Sequence, residues 1–81
     1  MAIWDEIGLS QEDWRCLARA FFAVAHGDGR AFAALPAVLQ GHPVGVLCAA
    51  YLERSDPALL DEAGRALCGT AQWYTYLGRM M

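Results

Sequence analysis

Helix breakers recur so often along this chain that no regular segment between them is long. Gly8, Gly27-Asp28-Gly29, Pro36, Gly41-His42-Pro43, Ser55-Asp56-Pro57 and Gly69-Thr70 divide it into short pieces. Gly relaxes the backbone where a helix must end, and Pro lacks the N–H that would continue one. Between breakers, apolar residues recur at spacings of three and four, the period of one helix face. β-branched residues are scarce, and no stretch alternates polar with apolar as a half-buried strand does. The expected fold is all-α, a compact bundle of four to five short helices. With 81 residues the chain has room for one helical domain spanning 1–81.

The individual pieces can be assigned. Ile3, Trp4 and Ile7 share one face of a short turn that Gly8 ends. Ser10 is a good N-cap, with Glu12 and Asp13 in the first turn, where the helix dipole favours acids. Ser10 and Asp13 resemble a capping box with a shorter acid than usual. Trp14, Leu17, Ala18, Phe21, Val24 and Ala25 form the apolar stripe of this first long helix, with Phe22 widening it. A second helix starts near Asp28 or Gly29, carries Phe32, Leu35, Val38 and Leu39 inward, and is kinked or split at Pro36. A third starts at Pro43 with Val44, Leu47, Cys48, Tyr51 and Leu52 as its stripe. Asp56 and Pro57 open a fourth, with Leu59, Leu60, Ala63, Leu67 and Cys68 facing inward and Asp61 paired to Arg65 outside. Thr70 caps a last helix on which Trp73, Tyr76, Leu77 and Met80 share a face, leaving Tyr74 and Met81 exposed. Gly45, Gly64 and Gly78 fall inside helices, where Gly costs about 1 kcal/mol against Ala, so each is expected to mark a close helix approach.

Charge and composition narrow the function. Nine acids against six arginines, with no lysine, give a net charge of −3. Nucleic-acid binders normally present a basic face, and no helix here has the basic and amide residues of a recognition helix. Ala31–Leu39 and Val44–Leu52 are the longest apolar stretches, both too short to span a membrane. Asp5 and Glu6 stand where a secretory leader carries Lys or Arg. Three cysteines, Cys16, Cys48 and Cys68, sit in apolar contexts like buried free thiols. A cytoplasmic location is expected from this thiol chemistry. Missing Lys and Asn beside abundant Ala, Gly and Arg suggest a GC-rich bacterial or phage genome.

No constellation for catalysis emerges. Cys16, His26, His42, Cys48 and Cys68 are metal-ligand types, but none forms the close pair that zinc sites show. Glu12 and Asp13 would raise the Cys16 pKa, the opposite of what a nucleophilic thiolate needs. Adjacent acids such as Asp61 and Glu62 do not face each other on a helix. His26-Gly27-Asp28-Gly29-Arg30 reads as a helix stop followed by a helix start. No enzyme, metal or cofactor is therefore expected.

Two surface features remain. Asp5, Glu6, Glu12 and Asp13 all precede the first basic residue, Arg15, and Trp4 and Trp14 flank them. Aromatics ringed by charge are common interface anchors. The second feature is Tyr74. In addition, 57% of residues are hydrophobic, much for a small sphere to hide. The expected function is a non-enzymatic protein–protein interaction module. Trp4, Asp5, Glu6, Glu12, Asp13, Trp14 and Tyr74 would meet a protein partner with a basic surface, in the manner of a phage-type inhibitor of a bacterial defence complex. The alternatives are a self-assembling, homo-oligomeric adaptor domain of death-like type and a small ligand- or metal-binding helical protein.

Overall fold

Capping explains where the three longest helices begin. In the computed structural model, which describes residues 3–80 apart from the Met80 side chain, Ser10 Oγ accepts the Asp13 N–H at 3.1 Å. His42 Nδ1 accepts the Val44 N–H at 3.2 Å, and Asp56 accepts the Ala58 N–H at 3.0 Å. Each bond satisfies an N–H that has no partner inside its helix. The order is α1 (Ile3–Glu6), α2 (Gln11–Ala25), α3 (Arg30–Ala33), α4 (Ala37–Gln40), α5 (Pro43–Arg54), α6 (Pro57–Cys68) and α7 (Trp73–Met80). No strand occurs among the described residues.

The all-α bundle is as expected. The count exceeds four or five because α1, α3 and α4 are single turns of four residues each. Pro36 does split the second predicted helix, becoming the extended residue that precedes α4. Helix ends follow local chemistry as well. Gly27, at φ +84°, reverses the chain after α2, and Asp28 then caps the Arg30 N–H at 3.0 Å. Ser55 closes α5 in the left-handed region at φ 56°, the one non-glycine residue to do so among those described. Only half of the expected capping box forms, because the Asp13 carboxylate makes no return bond to Ser10. Thr70 accepts the Gln72 N–H at 3.2 Å, one residue ahead of α7.

The core is built around α2. Trp14, Leu17, Ala18, Phe21 and Val24 are completely buried, as the helical stripe predicted. Phe32, Val44, Cys48, Ala63, Leu67, Cys68 and Leu77 complete the same cluster from α3, α5, α6 and α7. Phe21 meets the Trp73 ring edge-on at 5.0 Å. Asp61 ties α6 to α7, accepting from Trp73 Nε1 at 3.0 Å while pairing with Arg65 at 3.0 Å.

Three inward assignments are corrected. Val38 is 83% exposed, because α4 is a single turn and turns only Leu39 to the core. Leu52 is 40% exposed near the end of α5. Cys16 is exposed on the outer side of α2 rather than buried. Gly78 is also corrected, since a Cβ there would meet nothing within 4 Å. At Gly45, by contrast, a Cβ would lie 2.6 Å from the Gln40 carbonyl oxygen, so α4 and α5 cross at backbone distance. At Gly64 a Cβ would lie 2.6 Å from Trp73 Cδ1, so the indole rests on bare helix.

These thiol environments predict reactivity. Burial pushes the Cys48 thiol up to about 11 and the Cys68 thiol up to about 12. A thiol-specific reagent at pH 8 is expected to label only Cys16 in the folded protein, and Cys48 and Cys68 only after denaturation. Rapid labelling of all three in the native state would contradict this packing. Because both buried thiols hold their protons above the ordinary value of about 8.5, their stabilising effect is complete below that pH. It is lost as pH rises through 11 and 12. The thermal midpoint should therefore fall on the alkaline side, and replacing Cys48 with Ala should flatten that fall.

Candidate functional site

The N-terminal end of the molecule is held from several directions. The turn after α1 is closed by the Leu9 N–H, which donates to the Trp4 carbonyl at 2.8 Å. The Trp4 ring lies 5.8 Å from that of Trp14. His42 Nε2 donates to the Ile7 carbonyl at 2.8 Å, fastening the end of α1 to the start of α5. Because Nδ1 of the same ring accepts from Val44, the bonds require the neutral Nε2–H tautomer. Both nitrogens are thus used in holding the fold. His26 is similarly engaged, its Nδ1 at 2.8 Å from the Phe22 carbonyl and its ring 4.5 Å from the Phe22 ring.

On this platform the two acidic turns flank the Trp4–Trp14 contact. Asp5, Glu6, Glu12 and Asp13 are all exposed, and none has a side-chain hydrogen bond or ion pair among the described residues. Of the other five acids, Glu53 and Glu62 are likewise exposed and unpaired among the described residues, and three are engaged. Asp28 binds Arg30, whose guanidinium holds the carboxyl below its usual range; Asp56 caps α6; Asp61 binds Arg65 and Trp73.

The aromatic members of the expected site separate. Trp4 is half-buried. Trp14 is 0% exposed and donates its Nε1–H to the Leu67 carbonyl at 2.9 Å. It is a core residue, not a contact residue, because the indole N–H finds its partner inside the bundle. Tyr74 is 62% exposed on α7, with Trp73 as its aromatic neighbour at 5.7 Å. Of the C-terminal methionines, the Met80 side chain and Met81 lie outside the described residues.

Further apolar side chains reach solvent where periodicity gave no warning. Val38, Val46 at 55%, Leu52 and Phe22 at 37% are exposed. Among the described residues no three His, Cys, Asp or Glu side chains gather where they could hold a metal ion, and no helix is long and apolar enough to cross a membrane. Compared with protein-family models, curated proteins and solved structures, the chain matches none.

Proposed function

We propose that this protein is a non-enzymatic interaction module that docks its acidic N-terminal end on a basic surface of a protein partner. The observation that carries the reading is the set of four exposed carboxylates, Asp5, Glu6, Glu12 and Asp13, on the turns that carry Trp4 and Trp14, without counter-ions among the described residues. Gathered like charges repel, and a basic surface relieves that repulsion on contact. Trp4, half-buried next to Asp5 and packed on Trp14, adds an aromatic anchor of the kind found at interface hot spots. The tethering of α1 by Trp14 and His42 means that little order has to be gained on binding. A partner whose basic surface normally holds nucleic acid, as in a bacterial defence complex blocked by a phage-type inhibitor, fits this charge pattern.

The test compares the wild-type chain with a D5N/E6Q/E12Q/D13N variant in capture from a bacterial lysate. The expected result is a protein retained at low salt, released by added nucleic acid, and not retained by the variant. Equal capture by both chains, or none by either, overturns the reading. Circular dichroism of the variant separates lost binding from lost folding.

A second reading, homotypic assembly, rests on the exposed Val38, Val46, Leu52 and Tyr74. Light scattering across concentration decides it. A mass that grows with concentration favours an assembling adaptor, and a strict monomer removes that reading.

A further inference from the structure

A concavity lies far along the chain from the acidic turns, where the 70–72 turn meets α7. It is a cleft of about 230 Å³ lined by Thr70, Gln72, Thr75, Tyr76 and Arg79. Gln72, Thr75, Tyr76 and Arg79 recur at spacings of three and four, so α7 turns one polar face toward it. Every lining side chain carries a hydrogen-bond donor, and none is a carboxylate.

Those donors are available. The Thr70 oxygen accepts the Gln72 N–H, which leaves its own O–H to point outward. The Thr75 and Tyr76 hydroxyls and the Gln72 amide donate to no group among the described residues. Among the described residues Arg79 forms no ion pair, like Arg15, Arg19 and Arg54, whereas Arg30 and Arg65 each hold an aspartate. A cleft rich in donors, with one guanidinium and no carboxylate among its described lining residues, suits a ligand that supplies several acceptor oxygens and negative charge. The planar guanidinium binds such oxygens in pairs, and the hydroxyls can take a third. The volume exceeds what a bare oxyanion fills, at about 30 Å³ for each water-sized unit. The half-buried Tyr76 ring offers a wall for an organic body.

We infer that this cleft binds a phosphate group, with room for the small molecule that carries it. Arg79 and Thr75 would hold the phosphate oxygens, and Thr70 and Gln72 would close the site from the turn.

The probe is inorganic phosphate, followed by backbone amide NMR shifts, with acetate and chloride at matched ionic strength as comparison arms. Phosphate is expected to shift the signals of residues 70–79 saturably, and acetate and chloride are not. Phenyl phosphate should bind more tightly than inorganic phosphate if the Tyr76 wall is used, and equal affinity would limit the site to free phosphate. Arg79→Gln is expected to weaken phosphate binding by roughly tenfold or more, and Thr75→Val by a few-fold, as lost charge-assisted and neutral hydrogen bonds do. Arg79 and Thr75 are exposed, so unchanged circular dichroism is expected for both variants. Absence of a saturable shift, an equal response to acetate or chloride, or unaltered binding by Arg79→Gln would each overturn the assignment.

Discussion

Trp14→Ala is expected to remove a large share of the chain's stability. Trp14 is completely buried, and its ring meets Trp4 at 5.8 Å and Tyr76 at 6.2 Å. Its Nε1–H donates to Leu67 at 2.9 Å, so one side chain joins α1, α2, α6 and α7. Removing a buried indole costs roughly 3–5 kcal/mol. A domain of this length has a total stability of about 4–12 kcal/mol at roughly 0.05–0.15 kcal/mol per residue. Urea unfolding followed by circular dichroism measures the loss. Trp14→Phe separates the contributions, because it keeps an aromatic ring but leaves the Leu67 carbonyl without its donor, at about 1–3 kcal/mol. A loss below about 1 kcal/mol for Trp14→Ala would mean that α1 and α7 do not depend on this residue.

Alanine at Gly45 and at Gly78 is expected to move stability in opposite directions. Both glycines lie inside helices, where Ala is intrinsically better by about 1 kcal/mol. At Gly78 the new methyl meets nothing within 4 Å, so the helix gains most of that preference. At Gly45 it would collide with the carbonyl oxygens of Leu39 and Gln40, which are backbone atoms and cannot rotate away. Overpacking of this kind costs roughly 1–3 kcal/mol, and here it also separates α4 from α5. Gly64→Ala is expected to lie on the destabilising side as well, since it lifts the Trp73 ring off α6 and weakens the bond to Asp61. Urea midpoints of the three variants check the order, and a tolerated Gly45→Ala would contradict the close crossing.

Helix identity was legible in the sequence because its signals are local. Ser10, Asp56 with Pro57, and Gly27 act on atoms within a few residues, so they place helix ends whatever the rest of the chain does. The stripe from Trp14 to Val24 likewise identified the buried face of α2, since a helix has one side and that side was apolar. The i,i+4 pair of Asp61 and Arg65 followed from the same geometry. The acidic turns at Asp5, Glu6, Glu12 and Asp13 could be read as exposed for the related reason that unpaired charge stays in water.

What the sequence could not determine depends on which helices meet. Trp4 and Trp14 look alike in composition and neighbourhood, yet one is half-buried and the other lies at the centre of the core. Only the packing of α6 against α2 supplies the Leu67 carbonyl that lets the Trp14 N–H leave water. Gly45 and Gly78 are equally unexplained inside their helices until α4 is seen to press on one and nothing on the other. Val38 and Leu52 fit a helical period but reach solvent, because α3 and α4 are too short to cover the bundle on that side. Periodicity specifies a face of one helix; burial requires a second element against it, and that is a property of the assembled bundle alone.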